Sequence, residues 1–196
     1  MFSKKILIIF ILLAFKPSHA HSIEPDVFVQ STVNRASQIL SENITKKEKI
    51  NKLKLIAKET VDIKGVGFYS LGAARKKLDN NEKEQYIKIF EAYFLKSFSS
   101  RLAEYTNPEI DVIGKRKLNE NYTIVNSILV GTSERPEIKI DWRIYTKNPK
   151  SPLIRDLIIE GLSLARTQKE EFSSILNSND GDINALFKSL EQFSKN

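Results

Sequence analysis

A change of hydrophobic period partway along the chain limits its fold more than any other feature. Apolar residues first recur every three or four positions, at Ile87, Phe90, Phe94, Phe98, Leu102 and Tyr105, with Tyr86 and Tyr93 widening the stripe. That spacing puts large, mostly aromatic side chains on one face of a helix. From residue 110 to 160 the period becomes two: Ile138, Ile140, Trp142 and Ile144 alternate with Glu137, Lys139, Asp141 and Arg143. Such alternation marks a strand with one buried face and one wet face. No single regular element satisfies both periods, so the chain must divide into a helical part and a sheet that pack on each other.

The long helix is bounded by its own chemistry. Asp79 can cap it, with Glu82 three residues later as in a capping box, and Asn107-Pro108 ends it. At about 25 residues it is roughly 38 Å long, enough to cross the sheet of a small domain. Amphipathic helices are expected earlier, at 27–40 and 45–61, and later, at 164–176 behind Ser163 and after Asp182 with Ile183, Leu186, Leu190 and Phe193 inward. Strands are expected at 110–118, 122–132, 137–144 and 153–160, joined by turns at Asn119 and Asn121, 131–136 and 148–152 that are short enough for antiparallel hairpins. Gly65, Gly67 and Gly72 read as turn glycines. The expected class is α+β, with helices packed on one face of a four-stranded antiparallel meander.

Composition then removes most chemistry. The whole chain of 196 residues carries 31 Lys and Arg against 24 Asp and Glu, a charge of +7 that suggests nucleic acid. The first 20 residues weaken that suggestion. A basic start, the apolar run 6–15 and the small residues of Pro17-Ser18-His19-Ala20 form a signal peptide expected to be cleaved after Ala20. The leader holds Lys4, Lys5 and Lys16 and no acid, which leaves a single domain, 21–196, with a charge of +4. No nucleic-acid partner is expected of it. An apolar run of 10 residues is too short to span a bilayer, so a soluble exported product is expected. Cysteine is absent, which excludes disulfides, thiol nucleophiles and cysteine-held metal. Of the two histidines, His19 leaves with the leader and His21 sits at the new terminus, so histidine triads and metal sites are not expected.

The remaining motifs are modest. Gly161-Leu162-Ser163 lacks the second glycine and the histidine of a nucleophile elbow, so Ser163 reads as a helix cap. Asp62 and Asp156 lie among apolar residues, and each could be a desolvated base or an anchoring acceptor. Lys46, Lys47, Lys49, Lys52, Lys54 and Lys58 form either a solvated helix face or a docking patch. Apolar area is the one resource in excess. Phe90, Phe94, Phe98 and Leu102 on the long helix face a sheet whose parity puts Tyr122, Ile124, Ile128, Ile140, Trp142, Ile144, Leu157 and Ile159 together, with Phe68 and Leu71 alongside. They make either a close-packed core or a greasy pocket.

Several segments together resemble the MlaC or toluene-tolerance family. They are Asp62, Leu71-Gly72, the ladder from Tyr86 to Tyr105 and the strand Ile140-Asp141-Trp142-Arg143-Ile144. The most specific block is Asp156 to Leu164 with Glu160-Gly161-Leu162-Ser163, followed by Arg166, Phe172, Gly181 and Leu186. The chain departs from the family pattern at Ala73-Ala74-Arg75 and at Pro152, where the family usually has aromatic residues. The resemblance implies an NTF2-like domain in the periplasm of a Gram-negative bacterium that holds phospholipid tails between sheet and helices. It implies no catalytic residue and no cofactor, with phospholipid as cargo and Asp62, Asp156, Gly161 and Ser163 as structural residues. It implies partners too: an outer-membrane lipoprotein complex of the MlaA kind, and an inner-membrane ABC transporter whose MlaD-like subunit carries a mammalian-cell-entry domain. A monomer is expected. An NTF2-like enzyme using a buried Asp as base and a structural envelope adaptor are the alternatives.

Overall fold

The computed structural model describes residues 22–133 and 135–195; the expected leader, its cleavage site and His21 lie outside them. Helix α1 (Pro25–Ser41) leads through α2 (Lys46–Thr60) to the short α3 (Ile63–Ser70), a 3-10 turn (Gly72–Lys76) and the long α4 (Asn80–Leu102). Strands β1 (Ile110–Asn119), β2 (Tyr122–Leu129), β3 (Ile138–Tyr145), β4 (Leu153–Ile159) and β5 (Leu162–Ser163) follow, then α5 (Leu164–Asn177) and α6 (Ile183–Lys195). The class is α+β, and every sheet neighbour pairs antiparallel.

Local chemistry sets the helix starts. Thr45 accepts the Glu48 amide while the Glu48 carboxylate accepts the Thr45 amide, and Asp79 and Glu82 repeat that reciprocal box at α4. Ser163 Oγ accepts the Arg166 amide and opens α5. One helix was not foreseen. Gly65 and Gly67 lie inside α3 and are not turn residues. They serve close approach: a Cβ on Gly67 would stand 2.7 Å from Cδ1 of Phe90, and one on Gly65 would stand 2.5 Å from Asp62 Oδ2. Only Gly72 matches the turn expectation, with φ of +55.

The sheet has five strands, not four, in the order β1-β2-β3-β4-β5. The extra strand is two residues long and was hidden in the cap of α5. Glu160 and Gly161, at φ +48 and +84, make the two-residue hairpin that folds Leu162 back onto Ile159.

Register decides which side chains meet the helices, because directly opposite residues share a face. Val125, Ser127 and Leu129 of β2 lie opposite Trp142, Ile140 and Ile138, and Trp142 and Ile140 lie opposite Leu157 and Ile159 of β4. Val125, Leu129, Ile140, Trp142 and Ile144 of this face join Val29 and Val33 of α1, Ala57 of α2 and Phe90 of α4 in one apolar core. Tyr122, Ile124 and Ile128 therefore point to the opposite face, where they oppose Tyr145, Arg143 and Lys139. The expected grouping of these three with Trp142 is corrected. Its error has a plain source: β2 is apolar at both parities, with Ile124 beside Val125 and Ile128 beside Leu129, so alternation alone leaves its phase open. A bulge at Arg143/Ile144 brings Ile154 opposite Ile144.

The Gly67 contact yields a stability prediction. Gly67→Ala gains up to about 1 kcal/mol of helix propensity. Phe90, only 1% exposed, cannot yield to the added methyl. The net expectation is destabilisation of about 1–2 kcal/mol, read by urea denaturation against the unsubstituted chain.

Candidate functional site

Helix α4 packs more closely on other helices than on the sheet. It packs against α2, α3 and α6, and its side chains change character along its length. Tyr86, Phe90 and Tyr93 are buried in an aromatic cluster with Phe172 of α5 and Phe187 of α6. The Tyr86 hydroxyl donates to the Gly67 carbonyl at 2.8 Å, and burial pushes this phenol far above its ordinary pKa. Further along, Phe94 and Phe98 stack on each other at 5.4 Å between ring centroids and are only partly buried.

They border open volume. A cavity of about 320 Å³ lies among α4, α5, α6 and the edge of β4, walled by Phe90, Phe94, Phe98, Trp142, Ile154, Leu157, Ile175, Leu190 and Phe193. A second, of about 140 Å³, lies among α1, α2 and the sheet, walled by Val33, Leu40, Leu53, Ile56, Leu102, Leu129, Ile140 and Ile159. Val61, Phe98, Trp142, Ile154 and Leu157 line both, so the two cavities adjoin across these side chains. The smaller is almost wholly apolar in lining. The larger has a polar margin on α4 and α5 containing Ser97, Arg101, Gln168 and Glu171. There the Tyr93 hydroxyl donates to Gln168 at 2.9 Å and Gln168 donates to Glu171 at 2.9 Å. Burial, and secondarily the charge of Glu171, raise the Tyr93 phenol above its ordinary range.

Trp142 forms a wall of both cavities because its one polar atom is satisfied elsewhere. Its Nε1 donates to Ser127 Oγ at 2.8 Å, and that hydroxyl donates to the Ile140 carbonyl at 3.1 Å. The indole face is left to the cavities.

Of the residues singled out in the sequence, Phe90, Phe94, Phe98, Leu102, Ile140, Trp142, Leu157 and Ile159 line one cavity or both. Phe68, Leu71 and Ile144 line neither, and Tyr122, Ile124 and Ile128 lie across the sheet. Leu71 and Ile144 are core, at 2% and 0% exposure. Residues missed by sequence come mostly from α1, α2, α5 and α6, whose helical stripes gave the signal but not which stripe would meet which.

The two acids are anchors. Asp62 caps α3 through the Gly65 amide and accepts from Arg155 Nε at 2.6 Å, with Nη2 at 2.5 Å from the same oxygen. Arg155 also donates to the Tyr122 hydroxyl at 2.9 Å and lies 4.2 Å from the Tyr145 ring centroid. Asp156 accepts from Ser163 Oγ at 2.6 Å and from the Ala165 amide at 3.0 Å, with Arg143 Nη1 at 3.7 Å. Among the described residues no group of three or more His, Asp or Glu could hold a metal ion, and no helix is long and apolar enough to cross a membrane.

Comparison with known proteins adds two findings. The family described as MlaC protein matches residues 30–192. The fold is similar to that of a phospholipid-binding protein from Ralstonia solanacearum, solved in complex with a phospholipid. The TM-score is 0.73 and the identity 17%, over 88% of this chain and 98% of that one. No curated protein matches the chain.

The wall around Trp142 can be tested directly. Ser127→Ala strands a buried indole N–H and should cost about 1–3 kcal/mol in chemical denaturation. The same change made on Trp142→Phe should cost clearly less, a non-additivity that a double-mutant cycle measures.

Proposed function

The chain belongs to the MlaC family, and from that premise we propose that it is a phospholipid carrier that holds acyl chains in the paired cavities between the helices and the sheet. The observation that carries this reading is the pair itself: two adjoining apolar volumes of about 320 and 140 Å³, parted only by side chains such as Phe98, Trp142 and Leu157. Small shifts of that partition would join them into one slot running from the polar margin at Arg101 and Gln168 to the apolar end beneath α1 and α2. The larger cavity falls at the lower end of the roughly 300–1,000 Å³ usual for ligand sites, and the joined slot sits well within it. The similar Ralstonia fold, solved with a phospholipid, supports the same assignment.

The energetics suit a carrier. At about 0.8 kcal/mol per buried methylene, an acyl chain of roughly 15 carbons gains about 12 kcal/mol on leaving water. Retention therefore needs no covalent or charged handle. Asp62 and Asp156 are each engaged by an arginine and by donors at a helix start, which favours anchoring over general-base roles.

Further parts of the proposal follow from the family. The chain is exported behind its first 20 residues into the periplasm and acts as a monomeric NTF2-like shuttle. It exchanges lipid between an outer-membrane lipoprotein complex of the MlaA kind and an inner-membrane ABC transporter with an MlaD-like subunit. Transfer then requires a partner that stabilises an open form or accepts the tails, since a carrier with this much buried hydrocarbon does not release it unaided.

Native mass spectrometry of protein purified without detergent should show bound phospholipid. A lipid-free chain that also extracts none from vesicles would overturn the assignment. Phe94→Trp should lower lipid loading at least tenfold by occupying the larger cavity, while changing unfolding free energy by less than about 1.5 kcal/mol, because the added atoms enter empty volume and not a packed core.

A further inference from the structure

The lysines and arginines of this chain fall into two kinds, and the difference marks a surface. Helix α2 carries the densest run, and half of its six lysines are ion-paired. Lys46 pairs with Glu104, Lys52 with Glu42 and Lys58 with Glu91, and Lys49 donates to the Leu40 carbonyl. The surface formed by α3, the 3-10 turn and the start of α5 is the opposite. Lys64 and Arg75 lie over the Phe68 ring, at 5.9 and 5.8 Å from its centroid, and Lys169 lies 5.6 Å from the Tyr69 centroid. Arg166 lines the same shallow depression as Tyr69 and Lys169, where Glu170 is the single acid. Lys76 and Lys77 follow Arg75 as exposed residues. None of these six cations is ion-paired to a described residue.

The patch is also firmly mounted and amphipathic. Phe68 stacks on buried Tyr86 at 6.4 Å, and Tyr69 is 44% exposed. Lys169 is held across the turn, where a Cβ on Gly72 would stand 2.9 Å from its Cε. Unpaired cations packed over a half-buried Phe68 and an exposed Tyr69 suit an interface that is negative at its surface and apolar just beneath: cations meet headgroup phosphates, and tyrosine sits at headgroup depth. The depression shares α5 with the larger cavity, since Arg166 and Lys169 line the one and Thr167, Gln168 and Glu171 line the other. A membrane-seated patch would therefore lie beside the cavity margin.

We propose that the surface made by Lys64, Phe68, Tyr69, Arg75, Arg166 and Lys169 docks the protein on anionic lipid bilayers. It goes beyond cargo binding, because a carrier loaded only by protein partners would need no such surface.

Flotation of the intact mature protein with vesicles tests it. Vesicles of phosphatidylcholine with about 30 mol% phosphatidylglycerol should carry the protein at low salt and lose it at high salt, and pure phosphatidylcholine vesicles should not carry it. The Arg75→Gln/Lys169→Gln variant should bind about 25-fold more weakly, and Lys47→Gln/Lys54→Gln on α2 should bind like the unsubstituted protein. Equal binding to both vesicle types, or equal loss in both variants, overturns the proposal. Failure to bind anionic vesicles while binding polyglutamate reassigns the patch to an acidic protein and overturns it too. Phospholipid content of the same preparations is read separately by mass spectrometry: it should be unchanged in the patch variant, so that loss of docking and loss of cargo binding are distinguished.

Discussion

Helix α4 is close-packed along its first half and borders open volume along its second, and most of the molecule's character follows from how that difference is maintained. Its first half is fixed at close range: α3 approaches it at Gly67, where no Cβ fits against Phe90, and the Tyr86 hydroxyl donates to the backbone there. Phe172 and Phe187 close this end from α5 and α6. A close-packed aromatic cluster of this kind resists compression, because interiors at crystal-like density offer few alternative rotamers. The second half of α4 cannot then tilt down to meet the sheet without disturbing the first. Phe94 and Phe98 are left stacked on each other above unfilled volume.

Polar anchors at the sheet edge make that volume tolerable. The chain crosses from α2 to α3 beside β4, where Val61 bridges Ile154 and the Asp62 amide donates to the Ile154 carbonyl. The Asp62–Arg155 pair then ties the start of α3 to β4, with Tyr122 and Tyr145 holding the guanidinium from the far face of the sheet. Asp156 does the same for α5. Partly buried ion pairs with several donors fix geometry more than they add stability. Here they position the helical layer at its margin, so that the apolar face of the sheet need not be covered completely. Trp142 fits the same pattern: because Ser127 takes its N–H, the indole can stand as a wall without a packing partner on one side.

Much of this was legible from sequence, and the failures have physical causes. The α+β class, the aromatic ladder, the Asp79–Glu82 capping box and the reading of Asp62, Asp156 and Ser163 as possible anchors or caps followed from period and cap chemistry; the Thr45–Glu48 box did not. The phase of β2 did not, because Ile124-Val125 and Ile128-Leu129 are apolar at both parities and only pairing to β3 resolves them. Strand β5 is two residues long, below what any period can reveal. Helix α3 was obscured because Gly65 and Gly67 oppose helix by propensity and are present for a tertiary reason, the approach of Phe90 and Arg155. Whether the apolar excess is core or pocket is also not a sequence property. It depends on how α4 is seated over the sheet, which the close contact of Gly67 with Phe90, well before the first strand, helps to set.

On the proposed reading, retention and release place conflicting demands on one cavity, and the structure separates them along α4. The cluster around Tyr86 and Phe90 is too tightly packed to take part in opening. The partition formed by Phe98, Trp142 and Leu157 is different: Phe98 and Leu157 are only partly buried and have free volume on both sides. Side chains with empty neighbours change rotamer at little cost, so lipid length can be accommodated there by moving the partition and leaving the fold unchanged. Hydrocarbon burial at this scale leaves the loaded state far below the open one. A partner must then act where the wall is soft, at the second half of α4 and the facing edges of α5 and α6, because force applied at the aromatic cluster would have to unpack the core before it reached the cargo.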